Sequence, residues 1–290
     1  HSVCNLKCSY CSDTYYGGAK AAYDVLALVE EFIERGELAN CHTVVWGGGE
    51  PVLDVNFSSM IETLVSELPA ATHRVLTNSV RFSKAVARLL EQDRISVTSS
   101  IDAGSAETFE AVRGRAKLMT VMANLRKYVA LQPRRVTIKY IFTRGNSTFD
   151  EVRRFVELVT KYELRGCSFQ ISSDFKDESI SLDLAVLMIS MYGLLVNAGF
   201  KAVFFDDLLR HRLNDIHSES EAVVHARLQS VGLESAIARY QEYPRVVIWG
   251  AGWQAKYLIE KSVFLRHSEI AFFVDNTPSK IGTRYFHREV

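Results

Sequence analysis

A chain of 290 residues can bury a large core, as one large domain or a large domain with a small companion, and needs no disulfide or metal staple to fold. Its 48% hydrophobic and 23% charged residues exclude a disordered polymer, and 34 Lys plus Arg against 34 Asp plus Glu argue against a broad electrostatic footprint for nucleic acid or an anionic membrane. No run approaches the roughly eighteen apolar residues of a membrane span, no signal peptide opens the sequence, and three of the five cysteines lie between residues 4 and 11, where thiols of a reducing compartment would bind metal. The expected setting is cytoplasmic, with no membrane and no nucleic acid as partner.

In chain order, the sequence opens at His1 directly before a cysteine loop, so a first strand expected ahead of that loop is missing from it. Val25, Leu28, Val29, Phe32 and Ile33 then recur at helical steps. A β-branched run from His42 to Trp46 stops at Gly47, Gly48 and Gly49, where the chain must turn. Phe57, Met60, Ile61, Leu64, Val65 and Leu68 form a helical stripe with Asn56 as its expected N-cap. Further strands are predicted at Arg74–Thr77, Ile95–Ser100, Val136–Phe142 and Cys167–Ile171. Between and after them come helices at Ser83–Gln92, Ser105–Val129, Thr148–Tyr162 and Leu182–Ala198. Thr148 and Glu151 have capping-box spacing. Strands alternating with helices imply right-handed βαβ units, hence an α/β fold: a partial (β/α)6 TIM-type barrel of parallel strands over residues 1–205. Residues 206–243 are charged and read as a helical connector. Residues 244–290 restart with a strand at Val246–Trp249 and a second at Ile270–Val274, half of a Rossmann-like unit and expected to be truncated.

Cys4, Cys8 and Cys11 have the spacing CxxxCxxC. Three thiolates can ligate three irons of a cubane cluster and leave the fourth open to an outside ligand. On spacing alone two other readings stay open: a zinc site completed by His1 or His42, and cysteines that bind no metal. A structural zinc site normally shows a second ligand pair, and none follows here. Cys41 and Cys167 read as small buried hydrophobes.

With Tyr10 just before the last cysteine, the triplet resembles the signature of the radical S-adenosylmethionine superfamily. Gly48-Gly49-Glu50-Pro51, after the strand ending at Trp46, resembles that family's GGEP element. The resemblance covers about residues 1 to 200. It implies a four-iron four-sulfur (4Fe-4S) cluster on Cys4, Cys8 and Cys11 and S-adenosylmethionine as cofactor, its amino group met by the backbone and carboxylate of Gly48 to Pro51. Adjacent glycines would let a ligand approach the main chain, and an acidic side chain can pair with an ammonium. It also implies that Thr77, Asn78, Ser100 and Asp102, at the ends of two strands, contact the methionine carboxylate and the ribose. Arg113-Gly114 is similar to a recurrent family feature, and Lys139, Tyr140, Arg144, Gln170, Ser172 and Ser173 are further candidates. The implied activity is reductive cleavage of the cofactor to methionine and a 5'-deoxyadenosyl radical, which takes hydrogen from a small or carrier-linked metabolite. An electron donor such as flavodoxin or ferredoxin would be needed.

Gly250-Ala251-Gly252 with Ala255 approximates GxGxxG between a strand and a helix, and Asp275 follows at a distance suited to a ribose hydroxyl. The segment looks similar to Rossmann-like half-domains of some sugar-modifying acyltransferases and sugar methyltransferases, which implies a nucleotide at Gly250, Gly252 and Asp275 and a sugar nucleotide as substrate. A docking role stays open, because Trp253 is bulky beside a pyrophosphate. Asp206, Asp207, His211 and Arg212 form a polar cluster that suits either a substrate contact or a solvated helix face. Two alternatives stand beside the radical enzyme: a zinc-binding module without turnover, and an NAD-dependent oxidoreductase using the C-terminal unit.

Overall fold

The computed structural model describes residues 1, 3–11, 24–176, 180–206, 245–252, 255–256, 259, 269–275 and 277–290. The chain divides into two compact units, one of His1–Glu178 with Leu187–Arg210 and the other of Ser179–Val186 with His211–Val290.

In the first unit, helix α1 (Val25–Glu34) starts where the Asp24 carboxylate accepts the Leu26 and Ala27 amides. The alternation then runs β1 (Thr43–Trp46), α2 (Phe57–Glu67), β2 (Thr72–Leu76), α3 (Lys84–Glu91), β3 (Ile95–Ser100), α4 (Ala106–Arg113), α5 (Leu118–Leu131), β4 (Val136–Phe142), α6 (Phe149–Lys161), β5 (Ser168–Ser173), α7 (Leu182–Asn197, of which the part from Leu187 belongs to this unit) and β6 (Ala202–Phe205). The six strands form one sheet in the order β1-β2-β3-β4-β5-β6, every pair parallel. Helix stripes legible in the sequence are the buried faces: Phe57, Met60, Ile61, Leu64 and Val65 on α2, and Val152, Phe155, Val156 and Val159 on α6. Each such side chain contributes about 1.5–3 kcal/mol when fully buried.

The strands do not read as the continuous apolar runs common in parallel sheets. In β2 only His73 and Val75 are buried, and β3 and β4 alternate in the same way. Their apolar residues lie on the core face, while Arg74, Thr98, Thr137, Lys139 and Gln170 lie on the opposite face, a polar surface spread over four neighbouring strands.

Four local expectations are corrected. Asn56 occupies the N-cap position of α2 without a side-chain cap bond; Asp54 Oδ1 instead accepts the Asn56 amide at 2.9 Å. The helical stretch after β3 is two helices, because Gly114 turns left-handed (φ 74°) and ends α4. Thr148 caps α6, yet Glu151 does not close the box and accepts the Gly104 amide at 2.8 Å. β6, unforeseen, adds a sixth strand beside β5.

In the second unit β7 (Arg245–Trp249) and β8 (Glu269–Val274) pair in parallel, and β9 (Arg284–Tyr285) with β10 (Arg288–Glu289) makes a hairpin that the sequence did not announce. Ala251, Ala255 and Phe273 form its small core with Ile248, Ile259 and Tyr285. Two parallel strands and a hairpin do not by themselves make a Rossmann fold. The connector beyond Asp206, with Asp207, His211 and Arg212, and Trp253 lie outside the described residues. No helix among the described residues is long and apolar enough to cross a membrane.

Candidate functional site

The cysteine loop is fastened to the C-terminal end of α4. Carbonyls in a last helical turn lack intrahelical partners, and here the loop supplies them: Lys7 donates its amide to Arg113 O at 3.0 Å and Ser9 to Val112 O at 2.8 Å. Gly114 is obligatory for this approach, since a Cβ there would lie 2.6 Å from Lys7 O. Leu6, 3% exposed, anchors the middle of the loop in the core.

Beneath the loop sits Asp102, fully buried in a left-handed conformation just after β3 (φ 58°). Its Oδ2 accepts Tyr10 Oη at 2.6 Å and Arg113 Nη1 at 2.8 Å, and its Oδ1 accepts the Ile141 amide at 2.7 Å. Arg113 also donates to Tyr10 Oη. Burial pushes the Asp102 pKa up, and the Arg113 guanidinium is the strongest influence against it. The carboxylate thus ties the cysteine loop to β3, α4 and β4. Asn146, fully buried, completes the frame by donating to Asp102 O and Ile141 O, both at 2.8 Å, while accepting the Thr143 amide.

The glycine turn after β1 meets the start of the same loop. Glu50 donates its amide to Val3 O at 2.7 Å, and Gly49 donates to His1 O. Gly48 is left-handed (φ 96°), and a Cβ there would overlap the His1 carbonyl oxygen. The close approach that requires this glycine is therefore made by the chain itself, a different reason from the ligand approach expected. Pro51 opens a short 3-10 turn and is buried.

Glu50 is 1% exposed, and its carboxylate accepts Thr77 Oγ1 at 2.8 Å and the Asn78 amide at 2.6 Å. Burial raises its pKa to about 6, against the lowering effect of these hydrogen bonds. Asn78 Nδ2 in turn donates to Asn5 Oδ1 at 2.7 Å and reaches Cys4 Sγ at 3.7 Å. Four predicted positions from three distant segments, Cys4, Glu50, Thr77 and Asn78, thus join in one network. Ser100 ends β3, half-buried, opposite Lys139 in the register.

The thiol chemistry fits a cluster. All three cysteines are partly buried thiols outside any disulfide, and burial pushes Cys8 up to about 11 with Arg113 opposing, so a metal would have to displace its proton. An N–H donor aimed at Cys4 is the kind of contact that tunes cluster sulfurs. No three His, Cys, Asp or Glu side chains among the described residues are gathered closely enough to hold a single metal ion. His1 is engaged instead, its Nδ1 3.0 Å from Asp54 Oδ2 and its ring against Trp46 and Phe57.

Other candidates scatter. Tyr140 is buried and donates to Asn146 O at 3.1 Å, Ser172 is buried, and Lys139 Nζ lies 4.0 Å from Asp206 Oδ2. Cys167 is buried and Cys41 partly so. Asn5, Asn124 and Asn146 were missed. Asn124, on the apolar face of α5, donates to Ser79 O and Val80 O, and a polar residue interrupting that stripe was a usable signal.

In the second unit Gly250 is left-handed (φ 100°). Asp275 Oδ2 accepts the Ala251 amide at 2.7 Å and Lys280 Nζ at 3.0 Å, and Oδ1 accepts the Thr277 amide at 2.8 Å. These bonds, led by that from Ala251, hold its pKa well below the usual carboxylate range. Tyr285 Oη donates to Gly252 O at 2.8 Å. Asp275 therefore caps the glycine turn, occupying an amide that a phosphate would need.

Comparison with known proteins extends this geometry. The chain is 28% identical over 150 residues to GTP 3',8-cyclase of Pasteurella multocida, covering 51% of this chain and 44% of that protein. It is 28% identical over 156 residues to a probable dual-specificity RNA methyltransferase RlmN of Prochlorococcus marinus, covering 49% and 43%. It thus spans less than half the length of these curated relatives. Among solved structures, Streptococcus suis SuiB bound to precursor peptide SuiA superposes with a TM-score of 0.55 at 14% identity, over 71% of this chain and 47% of that one. Native anSMEcpe with bound AdoMet gives 0.54 at 16%, over 74% and 63%. These likenesses are of fold, and match the parallel six-stranded sheet. The family model described as the radical SAM superfamily matches residues 1–159, which hold the cysteine loop, the glycine turn and the Asp102–Arg113 pair, and the chain belongs to that superfamily.

Proposed function

We propose that the protein is a radical enzyme in which Cys4, Cys8 and Cys11 hold a 4Fe-4S cluster and S-adenosylmethionine binds across the ends of β1, β2 and β3. When bound and reduced, the cluster supplies one electron to the sulfonium, breaking a carbon-sulfur bond to give methionine and a 5'-deoxyadenosyl radical. The protein positions and shields. The Glu50 network carries this reading, because it links the turn expected to meet the cofactor amino group to the loop expected to hold the cluster. Each carboxylate oxygen has a second lone pair, so Glu50 can accept from the cofactor while retaining Thr77 and Asn78. Gly48, Gly49 and Pro51 shape the turn around it, and Ser100 is offered for the ribose. Asp102 positions the loop through Tyr10 and Arg113 and is not assigned a ribose contact.

Five cysteines without a disulfide and the need for an external electron suit a reducing compartment with a flavodoxin-like or ferredoxin-like donor. The expectation that nucleic acid is no partner is withdrawn, since a relative is named as an RNA methyltransferase. The C-terminal unit is assigned no nucleotide and the substrate no sugar nucleotide: Asp275 is committed to the turn, and the relatives' names point elsewhere. Neither the zinc module nor the NAD-dependent oxidoreductase has support.

Anaerobic reconstitution with iron and sulfide is expected to give about four irons per chain. Reduction should give a paramagnetic signal that S-adenosylmethionine perturbs, both lost in Cys8→Ala. Protein that takes up zinc but no iron would contradict the reading.

A further inference from the structure

Arg74 lies at the middle of β2, on the face opposite the buried His73 and Val75. It is exposed, and its guanidinium has no hydrogen-bond or ion-pair partner among the described residues. A cavity of about 240 Å³ opens beside it, lined also by Thr98, Thr137, Gln170, Phe204 and Asp206. These side chains come from successive strands, β2 through β6 and its C-terminal end. Five flat strands spaced about 4.8 Å apart would spread over roughly 19 Å. One cavity touches side chains of all five strands, as the concave face of a barrel-type sheet does.

The charges in this hollow are unequal. Asp206 is met by Lys139 at 4.0 Å, and Arg74 has no ion-pair partner among the described residues. Thr98, Thr137 and Gln170 add neutral donors around it, and Phe204, 40% exposed, adds an apolar wall. A guanidinium is a rigid fork of donors suited to two oxygens of one anion, and curved walls raise its worth by displacing water.

We propose that Arg74 binds an anionic group of the substrate, a phosphate or a carboxylate, so that the enzyme acts on an acidic small molecule held in this hollow. The inference rests on reading the ends of β1 to β3 as the cofactor site. Arg74 precedes Thr77 by three residues, about 10 Å along the strand. The anion would therefore sit on the strand side of the cofactor end.

The test is calorimetric titration of the reconstituted full chain with inorganic phosphate and, separately, with succinate. Wild type binds at least one probe, Arg74→Gln weakens it about tenfold or more, and Arg74→Lys falls between. Thr137→Val, which keeps the cation, weakens binding by a smaller factor. Iron content and melting temperature of each variant report whether it folds. Binding of phosphate alone identifies a phosphorylated substrate, binding of succinate alone a carboxylate, and either supports the proposal. Failure of wild type to bind both, or equal binding by wild type and folded Arg74→Gln, overturns it. Arg74-dependent binding in protein that forms no 5'-deoxyadenosine upholds the anion site and removes the radical reading instead.

Discussion

Glu50 is a carboxyl in an environment that opposes its charge and a network that demands it. Burial sets its pKa at about 6, above the 4.5 of the unfolded chain. An acid whose folded pKa is raised binds its proton more tightly in the native state, so stability from this group is present below pH 4.5 and is lost as pH rises through about 6. The loss amounts to about 2 kcal/mol. On the proposed reading a cofactor amino group would offset it, because the ionised carboxylate is the stronger acceptor. The thermal stabilisation conferred by S-adenosylmethionine on reconstituted protein is thus expected to grow between pH 5 and 7. In Glu50→Gln it should be small and lack this step; the same rise in the variant would contradict the assignment. The cysteines and the Gly48 to Pro51 turn were legible because few chemistries need those residues at that spacing. Asn5 and Asn146 were not, since their partners are backbone and side-chain groups far away in sequence. Asp102 was expected to contact the cofactor, and its burial under Tyr10 and Arg113 could not be read from the strand end it follows.

At the scale of elements, the cysteine loop depends on how α4 ends. Gly114 and Gly36 both follow helices with positive φ, 74° and 69°, but only at Gly114 would a Cβ meet backbone, at Lys7. Gly36→Ala carries strain alone, about 1 kcal/mol, and should leave iron loading intact. Gly114→Ala must also move the loop, and is expected to lower iron content several-fold in folded protein; equal loading of the two variants would show that α4 does not position the loop. The strands and most helices were readable from period alone, since α2 and α6 each bury one clean stripe. β6 escaped because its four residues, Ala202–Phe205, form an edge strand with neither face fully buried, and the periodic signal is weak there. The β9–β10 hairpin escaped for the same reason of length, two residues a strand.

Across the whole molecule, alternation of strand and helix foretold the parallel sheet, and the pattern within its strands foretells its use. A parallel sheet with a polar face is costly to leave in a solid core, and four strands here, β2 to β5, turn Arg74, Thr98, Thr137 and Gln170 toward one cavity while the Glu50 network gathers at the C-terminal ends of β1 and β2. Ligands bind at that end of parallel α/β folds. The C-terminal unit was legible as a strand and glycine turn, but the role of Asp275 in capping that turn emerges only from the fold. The most direct measurement is chromatography for 5'-deoxyadenosine after anaerobic reconstitution, dithionite reduction and addition of S-adenosylmethionine. Its formation by wild type and loss in Cys8→Ala is the predicted result; a reducible four-iron cluster that binds the cofactor yet yields none would contradict the account.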